Sequence, residues 1–294
     1  MQFFKNLLSL LRVKHWTKNI FIFTALLFSE KLFEWQSLLV NTIAFFAFCF
    51  ISSSIYSIND IHDARGDRLH PKKKSRPIAS GRVGKIQALL IACILLIISS
   101  IIGVKLSRYF FLVLLLYFVL NLFYTFIGKN IIIIDAFCIS LGFVLRVIGG
   151  SFAISVHSSG WMIMTTFFLS LFLGFGKRRN EILSLGEDPS FHRKVLKKYD
   201  IGFLNHILIS CVTISVLSYA LYTLDTSVIQ RLGTNKLIYT VPIVTYGFFR
   251  YMHLLWENEE GDPTDLILHD MNMLIDIFLW LASTILIIYI SKSS

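Results

Sequence analysis

Charge is what this 294-residue sequence has least of: Asp, Glu, Lys and Arg make up only 16% of it, against about 25% in a soluble domain. That deficit excludes an ordinary cytoplasmic globule, a disordered chain and a protein organised around a charged tail. Cysteine chemistry is absent too. Cys49, Cys93, Cys138 and Cys211 all lie inside apolar runs with no Cys-x-x-Cys spacing, so they read as small packed hydrophobes. The opening residues MQFFKNLLSLLRVKHWTKN have a short apolar stretch followed by Arg12, Lys14 and Lys18, with no small-residue cleavage site. They read as an amphipathic, interfacial approach to a first span and not as a signal peptide. No short-period repeat and no separable polar domain is visible, so residues 1–294 are expected to form a single transmembrane domain.

What is abundant is apolar length. Hydrophobic residues make up 55% of the chain, with 27 Phe. Nine runs approach the roughly 20 residues needed to cross a hydrocarbon core of about 30 Å: Lys18–Phe33, Leu38–Ile58, Ile86–Val104, Tyr109–Ile127, Ile131–Ala153, Trp161–Gly176, Ile201–Thr223, Leu237–Leu255 and Met271–Ile290. They are too long for barrel strands and lack period-two alternation, so the expected fold class is all-α, a polytopic membrane protein of nine transmembrane helices. The net charge of +10 is concentrated in two loops, Asn59–Lys85 and Lys177–Lys198. Nine spans put both loops and the basic N-terminus on one side, which the positive-inside rule makes cytoplasmic. Membrane lipids are therefore expected partners and nucleic acid is not.

The sharpest polar feature ends the second run: Asn59-Asp60-Ile61-His62-Asp63-Ala64-Arg65-Gly66-Asp67-Arg68. At about 100° per residue the three carboxylates of Asp60, Asp63 and Asp67 form one stripe within about 60°, with Asn59 one turn before Asp63. Like charges so arranged call for a cation, and hard oxygen ligands suit Mg²⁺ completed by substrate phosphates. A solvated helix end with Arg65 and Arg68 as partners is the plainer reading. The following run, Arg68 to Gly81, sets Lys72, Lys73, Lys74 and Arg76 between Pro71 and Pro77. It reads either as a constrained phosphate clamp or as a topology signal alone.

A third feature, Gly174-Phe175-Gly176-Lys177-Arg178-Arg179-Asn180-Glu181, presents cations where a second metal site would want acids. It suits another phosphate or simply stops a span. Lys129 and Asp135 flank Ile131 to Ile134, and Arg146 sits inside the fifth run. Asp135 is about 16 Å along the helix from Arg146, too far to be its partner, which leaves an interhelical salt bridge and a phosphate contact both open for Arg146. Tyr124 and Trp161 read as interface aromatics, and Gly142, Gly149 and Gly150 as close-packing positions.

Taken together, Asn59-Asp60-x-x-Asp63-x-x-x-Asp67-Arg68, His70-Pro71, Arg76-Pro77-Ile78-Ala79 and Gly81 resemble the first aspartate motif of the UbiA superfamily of intramembrane prenyltransferases. The resemblance implies a UbiA-type helix bundle, typically of nine spans, with a cavity open toward lipid and capped by cytoplasmic loops. Arg12-x-Lys14-x-Trp16-x-Lys18-Asn19, Tyr124 with Lys129, Asp135, Arg146 and Gly149-Gly150, Gly176-Lys177-Arg178-x-x-Glu181, and Gly261-x-Pro263-x-Asp265 with Asp270 are similar to its phosphoribosyltransferase branch. The superfamily's second aspartate motif is missing, which puts ordinary prenyl-diphosphate chemistry in doubt.

That branch implies a donor, 5-phosphoribosyl 1-diphosphate, and an acceptor, a decaprenyl-type polyprenyl phosphate, in a plasma (inner) membrane. It implies Mg²⁺, with Mn²⁺ as the alternative, on Asp60, Asp63 and Asp67. Substrate contacts would come from Lys18, Asn19, Asn59, Arg68, Lys73, Arg76, Tyr124, Lys129, Asp135, Arg146, Lys177, Arg178 and Glu181, with Lys177 and Arg178 on donor phosphate oxygens, and a homo-oligomer is compatible with it. Two other classes stay open: an aromatic-substrate prenyltransferase using a polyprenyl diphosphate, and a non-catalytic membrane protein or transporter.

Overall fold

In hydrocarbon no water is present to pair with backbone amides, so a long apolar run must satisfy its N–H and C=O groups within itself. The computed structural model describes residues 2–69, 73–184, 196–257 and 263–290, and among these every regular element is helical. In chain order they are α1 (Gln2–Leu11), a 3-10 run (Val13–Phe23), α2 (Thr24–Leu27), α3 (Trp35–Leu69), α4 (Lys85–Leu106), α5 (Arg108–Phe126), α6 (Ile134–Ala153), α7 (Gly160–Ser184), α8 (Ile201–Leu224), α9 (Thr226–Leu232), a 3-10 turn (Lys236–Thr240), α10 (Val241–Glu257), α11 (Pro263–His269) and α12 (Met271–Ile285), which ends in a π-helical turn (Leu286–Ile290). His70, Pro71, Lys72 and Gly261, which the sequence motifs include, lie outside the described residues.

Seven helices, α3 to α8 and α12 with its π turn, are long and apolar enough to cross a membrane. α4 exposes Ile86, Leu90, Ile94, Ile97, Ile101 and Val104 along its length. A bare apolar strip of that size does not survive in water. Lipid covers it, and the chain is an integral membrane protein.

The two remaining expected spans are built differently. Within Lys18–Phe33 only Lys18–Phe23 is 3-10 helix, Thr24–Leu27 is the single turn of α2 and the last six residues are turns, and Leu237–Leu255 is divided between a 3-10 turn and α10. Pro242, which has no N–H to give to a preceding carbonyl, fixes the start of α10 at Val241. A 3-10 helix rises about 2 Å per residue against 1.5 Å for an α-helix, so Val13–Leu27 still covers about 28 Å.

The described chain falls into two compact units. The first comprises Met1–Leu26, Leu32–Ile127 and Leu145–His157. Its core joins Phe48, Ile51 and Ile55 of α3 to Phe110, Leu114 and Tyr117 of α5, with Phe48 edge-on to Phe110 at 5.9 Å and to Tyr117 at 5.3 Å. Gly149 and Gly150 admit close neighbours: a Cβ at Gly150 would run into the carbonyl oxygen of Ile22, and one at Gly149 would come within 2.8 Å of the Phe48 ring. Only glycine lets the 3-10 backbone approach this closely. A smaller cluster, Leu10, Ala64, Ile78 and Ala88, seats α1 and the loop after α3 on the end of α3. That cluster positions the site.

The second unit comprises Leu27–Lys31, Gly128–Val144 and Ser158–Ser294. Phe172 and Phe175 of α7, Leu204 and Leu208 of α8, and Phe248 and Leu255 of α10 form its core. Asp270 caps α12 by accepting from the Met273 amide at 2.8 Å, while Arg250 grips both of its oxygens at 3.1 and 2.6 Å. Those hydrogen bonds from Arg250 hold the Asp270 carboxyl below the usual carboxylate range.

Candidate active site

α3 has 35 residues, about 52 Å of helix against about 30 Å of hydrocarbon, so its end projects into the polar border. The aspartates sit on that end. Burial follows the helical period: Asp60, Ala64 and Asp67 are buried, while Asp63 is turned to the half-exposed flank, where its Oδ1 meets His62 Nδ1 at 2.8 Å. The expected stripe is therefore two buried carboxylates and one at the edge.

Two guanidinium groups answer the buried pair. Arg76 Nη1 lies 3.2 Å from Asp60 Oδ1 and 2.6 Å from Asp67 Oδ2, drawing both carboxylates onto one nitrogen. Arg12 Nη2 donates to the same Asp60 oxygen at 2.5 Å, with its guanidinium 5.0 Å from the centre of the Tyr56 ring. α1 stops at Leu11, and Arg12 takes a left-handed backbone, φ 50° and ψ 47°. For a residue with a Cβ that costs about 1–2 kcal/mol, which the contact with Asp60 offsets.

The loop carrying Arg76 is a set of turns, as its prolines suggest. Arg76 N bonds Lys73 O at 3.0 Å, Ser80 N bonds Arg76 O at 2.9 Å, and Val83 N bonds Pro77 O at 3.0 Å. Gly81 takes φ 76° at the reversal, a conformation glycine adopts without strain. Arg68 Nε ties the loop to α3 through Ala79 O at 3.2 Å, and Lys73 is half-buried at its start.

Among the described residues no three His, Cys, Asp or Glu side chains converge as a ready-made metal cage. The donor set nevertheless fits a hard divalent cation. Asp60 meets both arginines through Oδ1 and Asp67 meets Arg76 through Oδ2, so each carboxylate has a second oxygen outside these ion pairs. Mg²⁺ is ordinarily held by one or two carboxylates plus substrate phosphates, not by an all-protein cage.

Deeper in the first unit, Arg146 is buried in a polar network. Its Nε donates to Asn19 Oδ1 and its Nη2 to Tyr117 OH, both at 2.7 Å, and the guanidinium lies 4.8 Å from the centre of the Tyr117 ring. Asn19 donates onward to Cys49 Sγ at 3.2 Å, and Ser52 meets Tyr117 OH at 3.2 Å. Lys18 and Asn59 are half-buried, as is Tyr124 near the end of α5.

In the second unit α7 runs unbroken to Ser184, so Lys177, Arg178 and Glu181 belong to its last turns and not to a loop. An i,i+3 pair explains why the helix continues: Arg178 Nη1 meets Glu181 Oε2 at 2.6 Å. Arg178 Nε meets Asp135 Oδ2 at 2.7 Å, with both side chains buried. Tyr199 OH donates to Asp135 Oδ1 and accepts from the Ile133 amide, each at 2.7 Å. Burial pushes the Tyr199 hydroxyl up from its ordinary pKa, so it stays a donor. Ile133 has φ 70°, an outlier for a β-branched residue that costs on the order of 1–3 kcal/mol and needs such a staple. Lys129 lies in the short turn Gly128–Asn130, half-buried, and Lys177 is half-buried on α7.

Three residues in these clusters have no role assigned from the chain alone. Arg12 is visible there only as part of a signature. Tyr117 sits inside an apolar run, and Tyr199 follows a basic loop; nothing local marks either.

The helical arrangement defines a class, the UbiA-type membrane proteins. A UbiA homolog from Archaeoglobus fulgidus, solved bound to GPP and Mg²⁺, has this fold with a TM-score of 0.71 over 97% of this chain and 100% of its own, at 18% identity. The sequence profile of the UbiA prenyltransferase family matches residues 19–282, and the chain belongs to that family. A decaprenyl-phosphate phosphoribosyltransferase from Corynebacterium glutamicum is 32% identical over 97% of this chain and 87% of its own length. A protein of the same name from Mycolicibacterium smegmatis is 29% identical over 97% and 93%.

Proposed function

We propose that this chain transfers 5-phosphoribose from 5-phosphoribosyl 1-diphosphate to a decaprenyl-type polyprenyl phosphate and releases diphosphate. The observation that carries the chemistry is the cluster at the end of α3, which offers carboxylate ligands for a divalent cation and guanidinium groups for phosphate oxygens. The names of the near-full-length relatives supply the transferred group and the acceptor.

In this reading an acceptor phosphate oxygen attacks C1 of the ribose, the bond from C1 to the diphosphate oxygen breaks, and diphosphate departs with the electron pair. The acceptor is already an anion, so no strong base is required; orientation and neutralisation of polyanions supply the acceleration. A divalent metal, Mg²⁺ or alternatively Mn²⁺, held by Asp60 and Asp63 with Asp67 beside them, would neutralise the leaving diphosphate. Arg68, Lys73 and Arg76 orient donor phosphate oxygens, with Asn59 at the same helix end. Lys18, Asn19, Tyr124 and Arg146 are the first unit's further substrate contacts. In the second unit Lys129 and Lys177 are the proposed phosphate ligands, while Arg178 and Asp135 fix the helix end that carries Glu181.

Purified protein with Mg²⁺ is expected to consume radiolabelled 5-phosphoribosyl 1-diphosphate only when a polyprenyl phosphate is present. Transfer of a prenyl group from a polyprenyl diphosphate to 4-hydroxybenzoate, with no phosphoribosyl transfer, would instead make the chain an aromatic prenyltransferase.

The proposed topology has nine crossings, counting Val13–Leu27 and the Lys236–Glu257 stretch, with the N-terminus and both basic loops in the cytoplasm of a plasma (inner) membrane. A single reporter cysteine at Ser75 is expected to resist a membrane-impermeant thiol reagent in intact cells and to react once the membrane is opened. Labelling in intact cells inverts the orientation.

A further inference from the structure

The buried part of the cluster at the end of α3 is electrically closed. Two buried carboxylates, Asp60 and Asp67, face two guanidinium groups, Arg12 and Arg76, and Asp60 Oδ1 takes contacts from both. A bare divalent cation arriving here meets its two buried carboxylates already neutralised and must enter against two positive charges. A cation that arrives bound to a polyanion does not. The polyanion gives both arginines new acceptors, so the carboxylates pass to the metal and no guanidinium is left unpaired in a partly desolvated site.

Arg12 and Arg76 are built for such an exchange. Their side chains are 17% and 24% exposed, whereas Asp60 and Asp67 are 1% and 7% exposed. The cations can therefore swing while the carboxylates stay. Arg12 is also held in a left-handed backbone on a short connection between α1 and the 3-10 run, a conformation whose cost falls away if it leaves Asp60.

We infer that Arg12 and Arg76 act as stand-in cations that make this site select a metal–diphosphate complex over the free metal ion. The inference rests on the metal reading above and deepens it by setting the order of loading: metal and diphosphate enter together, and the two arginines pass from carboxylate to phosphate. Arg12 is thus a specificity residue that opposes binding of metal alone and favours binding of the complex. A residue that merely supported the fold would weaken both.

The test is equilibrium dialysis of the detergent-purified full chain against Mn²⁺, with and without inorganic diphosphate, comparing wild type with Arg12→Asn and Arg76→Gln. Asparagine tolerates the left-handed backbone, so Arg12→Asn removes the charge and keeps the turn. An opposite charge beside a carboxylate changes its proton affinity about ten- to a thousandfold, and a metal on that carboxylate feels a field of the same sign. Wild type is expected to bind Mn²⁺ weakly alone and at least about tenfold more tightly with diphosphate. Each variant is expected to bind Mn²⁺ alone on the order of tenfold more tightly than wild type, with most of the gain from diphosphate lost.

Wild-type binding of Mn²⁺ that is equally tight without diphosphate overturns the inference, as does folded Arg12→Asn or Arg76→Gln protein that binds Mn²⁺ alone no more tightly than wild type. Because the probe is inorganic diphosphate, the result is independent of which group the enzyme transfers. Loss of phosphoribosyl transfer as the function leaves it standing, and its failure leaves the transfer reaction to be judged by its own assay.

Discussion

Asp60→Asn is expected to lower the efficiency of phosphoribosyl transfer by on the order of a thousandfold while leaving the amount of inserted protein unchanged. Asp60 is the most buried member of the stripe, and its Oδ1 receives both Arg12 and Arg76. Asparagine keeps the size and one acceptor oxygen but removes the negative charge. A metal then loses its innermost ligand at the moment the leaving diphosphate must be neutralised. Removing a single preorganised electrostatic contact costs about a hundred- to a thousandfold in rate, and this site is asked to neutralise a leaving polyanion. Asp63→Asn, on the half-exposed flank, is expected to cost less. Efficiency for 5-phosphoribosyl 1-diphosphate at limiting Mg²⁺, with helix content followed by circular dichroism, decides the matter. Near-wild-type rates in both variants would remove the metal from this helix end.

The second large effect is on stability. Asp135→Asn is expected to destabilise the protein by about 3–5 kcal/mol, the range for breaking a buried ion pair by removing one partner. Arg178 is 2% exposed and its Nε points at Asp135, itself 0% exposed; Glu181, the other carboxylate on Arg178, is 26% exposed and so better screened. Neutralising Asp135 takes the fully buried counter-charge from a guanidinium in a dry environment, and Glu181 is the more solvated carboxylate beside it. It also weakens the acceptor of Tyr199 OH, the group that staples the strained Ile133 turn. Arg178→Lys is expected to fail in the same direction, because a single ammonium cannot fork between Asp135 and Glu181. A thermal denaturation midpoint lower by on the order of 10 °C in detergent is the expected reading. An unchanged midpoint for Asp135→Asn would show that the Asp135 charge is not needed to hold Arg178, and would return Arg178 to the phosphate ligands.

The parts of this protein legible in its sequence are those that depend on neighbours along the chain. Run length and hydropathy mark the seven long helices, because a segment in lipid must close its own hydrogen bonds wherever its neighbours lie. The spacing of Asp60 and Asp67 puts both on one helical face, since the period of 3.6 residues is a local property. The same period underdetermines Asp63: 60° around the helix is the difference between a buried carboxylate and one at the rim, and the elements packed on α3 decide which it becomes. The 3-10 run over Val13–Phe23 is also invisible in the pattern. Its apolar content suits an α-helix, and the tighter winding accompanies the seating of Ile22 against Gly150.

What only the tertiary structure decided is the choice of partner for each arginine. Arg12 finds Asp60 across 48 residues, Arg178 finds Asp135 across 43, and Arg146 finds Asn19 across 127. Composition established that few charges enter this chain, and position established that most lie near helix ends. A guanidinium, however, reaches in any direction from its Cα, and its partner is whichever acceptor helix packing brings within about 3 Å. Packing is settled by the fit of many apolar side chains at once, so the sequence shows which residues carry the charge, and the fold alone determines what each charge faces.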